Sequence, residues 1–258
     1  MARLTELLAL PARAVIALIG AGGKTTTMYT LAHELVEQGR RVVSTTTTHI
    51  YIPHPHETER LLVDSEQARL LTSLQESWQE HRHITVAQAI VAHNKLKGLL
   101  PEQPSLLLQQ GGADMVIVEA DGARHLKIKA PAAYEPVLPA QVRVVLLLLS
   151  AEVLNQPLSS DIAHRPDIIA GLTGLASGDL LTPAAVARLL LHRQGGLKQI
   201  PESAAVSILI THATLERQAA VAQLAHLLQT TARVSGVYMA QRPGAWQRAS
   251  THLHPPQT

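Results

Sequence analysis

An α/β fold built on a largely parallel, doubly wound sheet with flanking helices is predicted by three features of the chain. Apolar runs alternate with amphipathic segments over most of its length. One such run, Val15 to Ile19, passes through Gly20-Ala21-Gly22-Gly23-Lys24-Thr25-Thr26-Thr27 into an apparent helix. Another, Met115 to Val118, ends directly in Glu119-Ala120-Asp121-Gly122, the form of a Walker B strand. The second and third features make the fold P-loop NTPase-like.

The glycine-rich segment has the chemistry of a phosphate-binding loop. Glycines let backbone N–H groups turn inward around anionic oxygens, and the following helix N-terminus adds its positive dipole end. Lys24 can reach the terminal phosphates and Thr25 can ligate Mg²⁺. The residues expected to hold the nucleotide are therefore Gly20, Ala21, Gly22, Gly23, Lys24, Thr25 and Thr26. The full Walker pattern has a glycine six residues before the lysine, where this chain carries Leu18. What remains is the short form GxxGK[ST], which Mur-type peptide ligases also use.

The other elements follow in order. From Thr26 to Gln38, Met28, Leu31, Leu35 and Val36 fall close to one helical face, with Gly39 as C-cap. Arg41 to Thr47 reads as a strand that ends in Thr45-Thr46-Thr47-Thr48-His49, before a Pro- and His-containing loop, Ile50 to His56. Strand ends at the carboxyl edge of a parallel sheet face the ligand crevice, so this threonine run is a candidate second wall of the site. Short strands are expected at Leu61 to Asp64 and Ile84 to Ala87, flanking a helix at about Gln67 to Gln79. Lys95-Leu96-Lys97-Gly98 leads through a proline-marked turn to a leucine-rich helix, Pro104 to Gln110. Val142 to Leu149 is a buried strand. Thr182 to His192 is a helix with Pro183 at its first position, followed by a strand at Val206 to Ile210, a helix at Leu215 to Gln229 and a strand near Val234 to Met239. The expected organisation is a single P-loop domain over 1–240 and a flexible C-terminal tail over 241–258.

Composition bounds the function. At 258 residues and 46% hydrophobic, the chain can bury one sizeable core. Zero cysteines exclude disulfides, thiolate zinc sites and thiol or persulfide chemistry carried by this protein itself. A net charge of +2 with scattered cations, and aromatics at 2% with no phenylalanine, argue against a nucleic-acid partner. Glu6 interrupts the N-terminal apolar stretch, and the aliphatic run Val144 to Leu149 is too short to span a bilayer, so no membrane association and a cytoplasmic location are expected.

The segment Asp114 to Pro131 concentrates chemistry just past a buried strand. Glu119 and Asp121 are two residues apart and in extended geometry point to the same side. One would hold Mg²⁺ and the other orient a nucleophile, which with Lys24 makes the expected catalytic set Lys24, Glu119 and Asp121, and the metal set Thr25 and Glu119. Arg124, Lys127 and Lys129 could meet phosphate or a carboxylated substrate. Thr47, Thr48 and His49 at the threonine edge, and His164-Arg165 before Pro166, complete the candidate substrate-binding set. His49, His54 and His56 cluster without an established ligand spacing and are read as solvated.

Taken together, Gly20 to Thr27, Thr45 to His49, Val118 to Pro131, Tyr134-Glu135-Pro136 and Ala163 to Gly174 resemble the YqeC family, named as accessory proteins of selenium-dependent molybdenum hydroxylases. The resemblance runs from the N-terminal strand to about Ile210. It implies a P-loop protein that binds ATP or GTP with Mg²⁺ and helps to mature a molybdenum hydroxylase or its cofactor, with that hydroxylase or its maturation factors as partner. Two departures stand out. Where family members often carry an NKxD-like element, which reads guanine in GTPases, Ile210 is followed by Thr211-His212-Ala213-Thr214, with no aspartate. Ser150-Ala151-Glu152 stands where relatives tend to show glycine. A ligase or small-molecule kinase acting on an acidic substrate, and a non-enzymatic adaptor with a vestigial nucleotide site, are the alternative readings.

Overall fold

The computed structural model describes residues 2–249. In chain order the elements are α1 (Leu4–Leu7), β1 (Ala14–Gly20), α2 (Lys24–Glu37), β2 (Val42–Thr46), β3 (His49–Tyr51), β4 (Arg60–Val63), α3 (Gln67–Ser77), β5 (His83–Ala87), β6 (Ala89–Val91), β7 (Lys95–Lys97), α4 (Gln103–Gln109), β8 (Met115–Glu119), β9 (Ile128–Lys129), β10 (Val144–Ser150), β11 (Ala163–His164), α5 (Pro166–Thr173), α6 (Pro183–Leu191), β12 (Ala205–Thr211), α7 (Gln218–Leu228), β13 (Gly236–Ala240) and β14 (Trp246–Arg248).

Nine strands form one sheet in the order β14-β13-β12-β10-β1-β8-β2-β5-β4. Every pairing in it is parallel except β13 with β14. The expected α/β, P-loop type architecture is therefore the one observed. Strands β1, β8 and β10 are buried along their whole length, which is why they read as uninterrupted apolar runs. Along β1 the side chains alternate between layers. Ile16 and Leu18 join Met28, Leu31 and Leu35 of α2 on one face, while Ala17 and Ile19 join the cluster built from α5, α6 and α7 on the other. Val15 packs into a third cluster with Leu70 and Leu74 of α3 and Leu107 of α4.

The order in which strands are added reverses at β1. β8, β2, β5 and β4 lie on one side of it, and β10, β12 and β13 on the other. That switch point opens a crevice at the carboxyl edge, where β1 delivers the glycine loop and β8 delivers Glu119.

Three sequence expectations differ from the structure. The region from Gln241 is not wholly a tail: Trp246–Arg248 pairs antiparallel with β13, and Ala2 bridges Trp246. Burial of Trp246, 2% exposed against the α2 side of the core, supplies the driving force. The remainder of the expected tail, 250–258, lies outside the described residues. Ile50 to His56 is not all loop either, because His49–Tyr51 pairs with Lys95–Lys97, which also pairs with Ala89–Val91, in a separate three-stranded antiparallel sheet. Finally, the helix expected at Leu215 starts with a 3₁₀ turn, Leu215–Arg217, before α7.

Candidate functional site

Backbone geometry shapes the loop between β1 and α2. Gly22 has φ +78°, and a Cβ there would stand 2.5 Å from the Ser150 nitrogen; a Cβ on Gly20, φ +91°, would stand 2.3 Å from the Leu148 carbonyl oxygen. Only glycine fits both positions, and the loop is thereby pressed onto the end of β10. Gly23, at φ +109°, caps α2, so the helix begins at Lys24 itself and leaves the first amides, among them Lys24, Thr25 and Thr26, without intrahelical partners. Thr211 at the end of β12 braces the loop, its hydroxyl donating to the Gly22 carbonyl at 2.7 Å.

Lys24, Thr25, Glu119 and Asp121 converge beneath this loop. Thr25 Oγ1 donates to Glu119 Oε2 at 2.7 Å. The Lys24 ammonium donates to the Gly20 carbonyl at 2.8 Å and lies 3.2 Å from Asp121 Oδ1 and 3.8 Å from Glu119 Oε1. Asp121 Oδ2 accepts from the Gly20 amide at 3.0 Å, while its buried Oδ1 accepts no aligned hydrogen bond, so its contact with Lys24 is Coulombic. Burial pushes the Glu119 carboxyl above the usual carboxylate range, against the opposing pull of the Lys24 ammonium and the Thr25 hydroxyl.

The candidate substrate residues divide into two groups. Thr48, His49 and Arg124 line an open cleft of about 700 Å³ shared with Gly22, Gly23, Lys24, Thr25 and Thr26. Thr47, Lys127, Lys129, His164 and Arg165 do not line it. The Thr47 hydroxyl is committed to the Val137 carbonyl at 2.6 Å. Lys127 pairs with Glu152 at 3.4 Å. Lys129 is buried, its ammonium held by Glu135 at 2.8 Å, Asp121 at 3.0 Å and the Gly122 carbonyl at 2.6 Å. Arg165 grips the same Glu135 in bidentate fashion, at 2.7 and 3.1 Å. These two cations are consumed internally, so they hold the loop after β8 rather than offering charge to a substrate. His164 sits on β11 beside that network. Burial, then the Arg165 and Lys129 charges, push its imidazole down to about 4.

Glu135 is the residue that sequence reasoning missed. Burial acts to raise its carboxyl, but the hydrogen bonds from Lys129 and Arg165 overcome this and hold it below the usual range. The network runs from Arg165 through Glu135, Lys129 and Asp121 to Lys24, and its only trace in the sequence was the Tyr134-Glu135-Pro136 triplet. Tyr51, Lys95, His125 and Tyr134 also line the cleft and were not anticipated. Around the second departure, Ser150 Oγ contacts Glu152 Oε2 at 3.1 Å and His212 Nδ1 at 3.2 Å, a polar cluster at the ends of β10 and β12. Among the described residues no group of three or more His, Asp or Glu side chains has the arrangement of a metal site, and no helix is long and apolar enough to cross a membrane.

Comparison with known proteins places these features. A family model described as YqeC protein matches residues 16–167. The YqeC protein of Escherichia coli (strain K12) is 30% identical over 194 residues, covering 73% of this chain and 72% of that protein. Among solved structures, the signal recognition particle 54 kDa protein of Aeropyrum pernix K1, in complex with GDP, is similar at 15% identity and a TM-score of 0.43, over 94% of this chain and 45% of that one. FtsY of Mycoplasma mycoides is similar at 11% identity and a TM-score of 0.39, over 92% and 63%. The chain thus spans less than two thirds of either solved protein. The family match, which includes the glycine loop, β8 and the Glu135 network up to Arg165, and the relative from Escherichia coli agree: the chain belongs to the YqeC family.

Proposed function

We propose that this protein binds a nucleoside triphosphate with Mg²⁺ at the loop 20–27 and hydrolyses it or transfers its terminal phosphoryl group, as an accessory protein in the maturation of a selenium-dependent molybdenum hydroxylase or its cofactor. The observation that carries the nucleotide reading is the convergence of Lys24, Thr25, Glu119 and Asp121 under a glycine loop at a helix N-terminus. The maturation role follows from the family resemblance.

The donor set suits Mg²⁺, a hard cation that takes oxygen ligands. The Thr25 hydroxyl and the Glu119 carboxylate are the groups that would hold it, and Asp121 Oδ1, buried without a hydrogen bond, is a further oxygen at the same place. When bound, the ion would neutralise charge on the phosphates. This chain's own residues do the rest. Lys24 exchanges the Gly20 carbonyl and the Asp121 carboxylate for phosphate oxygens, and the loop amides receive the remaining charge. A Glu119 carboxylate that holds the ion through water can also orient the attacking group, with the Thr25 hydroxyl fixing its position at 2.7 Å.

Calorimetry with Mg·ATP and Mg·GTP, alongside phosphate release, tests the site. Binding by the wild type, lost in Lys24→Ala and weakened in Thr25→Ala, is the expected result; equal affinity in all three would refute the P-loop role. Purifying the hydroxylase from cells with and without this protein tests the maturation role, and unchanged activity and cofactor content would exclude it. A second reading, transfer to an acidic small molecule, is favoured by Arg124, which stands in the same cleft as the loop.

A further inference from the structure

The chain has two tryptophans, four tyrosines and no phenylalanine, so its aromatic rings are few enough to place individually. Trp78, Trp246, Tyr29 and Tyr238 are buried in the core. The remaining two, Tyr51 at 49% and Tyr134 at 72% exposure, both line the cleft beside the glycine loop. A protein that spends all its core rings on packing and leaves the other two open at one cleft has placed them for a ligand.

The wall around Tyr51 is built for a ring and a charge together. The antiparallel register sets Tyr51 of β3 opposite Lys95 of β7. The Lys95 ammonium lies 5.1 Å from the centroid of the Tyr51 ring, and the His125 ring stacks on Tyr51 with centroids 5.7 Å apart and planes 25° from parallel. His125 and its neighbour Arg124 hold φ of +60° and +50°, two consecutive non-glycine residues in the left-handed region. Backbone strain of this kind collects at binding sites, and here it turns both side chains' segment to the cleft directly after β8. The nearby carboxylates are already matched: Glu135 with Lys129 and Arg165, Glu152 with Lys127, Glu119 and Asp121 with Lys24. Lys95 and Arg124 are left without a carboxylate among the described residues. A stacking platform flanked by two uncompensated cations fits a planar ring bearing an anion.

We propose that the cleft face formed by Tyr51, Lys95, Arg124, His125 and Tyr134 is a second binding site, for a planar heteroaromatic molecule carrying a phosphate group, next to the triphosphate site. It rests on the reading of the glycine loop only for the identity of its neighbour. The ring lies against Tyr134 and the stacked Tyr51–His125 pair, and Lys95 and Arg124 meet the phosphate.

The test fills the loop with a non-hydrolysable ATP analogue and then titrates the full chain with FMN, AMP and GMP, following FMN by fluorescence quenching and the nucleotides by calorimetry. Riboflavin, which lacks the phosphate, and ribose 5-phosphate, which lacks the ring, serve as controls. Binding of at least one of the three phosphorylated rings, with both controls weaker by about tenfold or more, is expected. Tyr51→Ala and Lys95→Ala should each weaken that binding by a similar factor while leaving analogue affinity unchanged, and Tyr51→Phe should retain it. Tyr51 is exposed and Lys95 half-buried, so the folded state of these variants is checked by their melts. Failure of all three probes to bind, equal binding of ribose 5-phosphate, or indifference to Tyr51→Ala would overturn the proposal. If the analogue itself does not bind but the titrations behave as expected, the loop reading fails and the second site stands.

Discussion

The Lys24 ammonium meets the Asp121 carboxylate at 3.2 Å, with both side chains almost wholly removed from solvent. Asp121 also binds the Gly20 amide and the Lys129 ammonium, so one carboxylate ties the glycine loop to the network that fixes the segment after β8. Lys24 is thus both the residue expected to hold phosphate and the counter-charge of two buried acids.

Lys24→Ala should therefore abolish triphosphate binding and also lower stability, because Glu119 is left without its cation and Asp121 keeps only Lys129. Removing one partner of a buried pair costs roughly 3–5 kcal/mol. Burial holds the folded pKa of the unpaired Glu119 above its unfolded one, so its protonated form folds better and the penalty is largest at neutral pH. Thermal melts should show the gap between variant and wild type narrowing as pH falls through the raised pKa of Glu119. A constant gap would show that charge pairing is not its cause.

Glu119→Gln keeps the shape and the acceptor for Thr25 while removing the charge. Near-normal nucleotide binding with turnover reduced by on the order of 10²-fold or more is expected. Asp121→Asn should instead weaken Mg²⁺ dependence and loosen the loop. Steady-state kinetics and metal titrations decide between them: normal turnover in Glu119→Gln with a dead Asp121→Asn reverses the roles.

Base discrimination should be weak or favour ATP. After β12 the chain has Thr211-His212-Ala213-Thr214, and the Thr211 hydroxyl is already engaged by the Gly22 carbonyl. With no carboxylate to accept from a guanine edge, the usual source of selectivity is missing. Competition binding measures it, and a preference for GTP above about a hundredfold, roughly 2.7 kcal/mol, would mean that another segment reads the base.

His83 makes the fold sensitive to acid. It is fully buried on β5, its Nε2 within 2.8 Å of Ser44 Oγ and its Nδ1 without a partner. Burial, with His33 beside it, pushes it down to about 3. The unfolded chain binds this proton near pH 6.5 and the folded chain does not, so the stability is present above that pH and is lost progressively as pH falls towards 3. Chemical denaturation between about pH 7 and pH 4 should show this dependence, reduced by up to one proton in His83→Leu. An unchanged slope in the variant would assign the sensitivity elsewhere, to His164 first.

Legible in the sequence were the succession of parallel strands in the main sheet, most of the helices between them, the glycine loop and the acids Glu119 and Asp121, because those features are local. An apolar run with period two or 3.6, a glycine that must adopt positive φ and a carboxylate at a strand end depend mainly on their neighbours in the chain. Tertiary structure alone decided which charges are free. Lys129 and Arg165 look like substrate cations beside Lys127 and Arg124, yet both are spent on Glu135, which a chain reversal brings back under the loop. It likewise decided that Trp246 anchors a strand, because what orders that segment is the apolar pocket waiting for the indole. The same holds for the cleft platform, where Tyr51, Lys95 and His125 come from separate parts of the chain and meet only once the small sheet has paired. Pairing, burial and charge balance are properties of surfaces that the folded chain creates, and no spacing along the sequence encodes them.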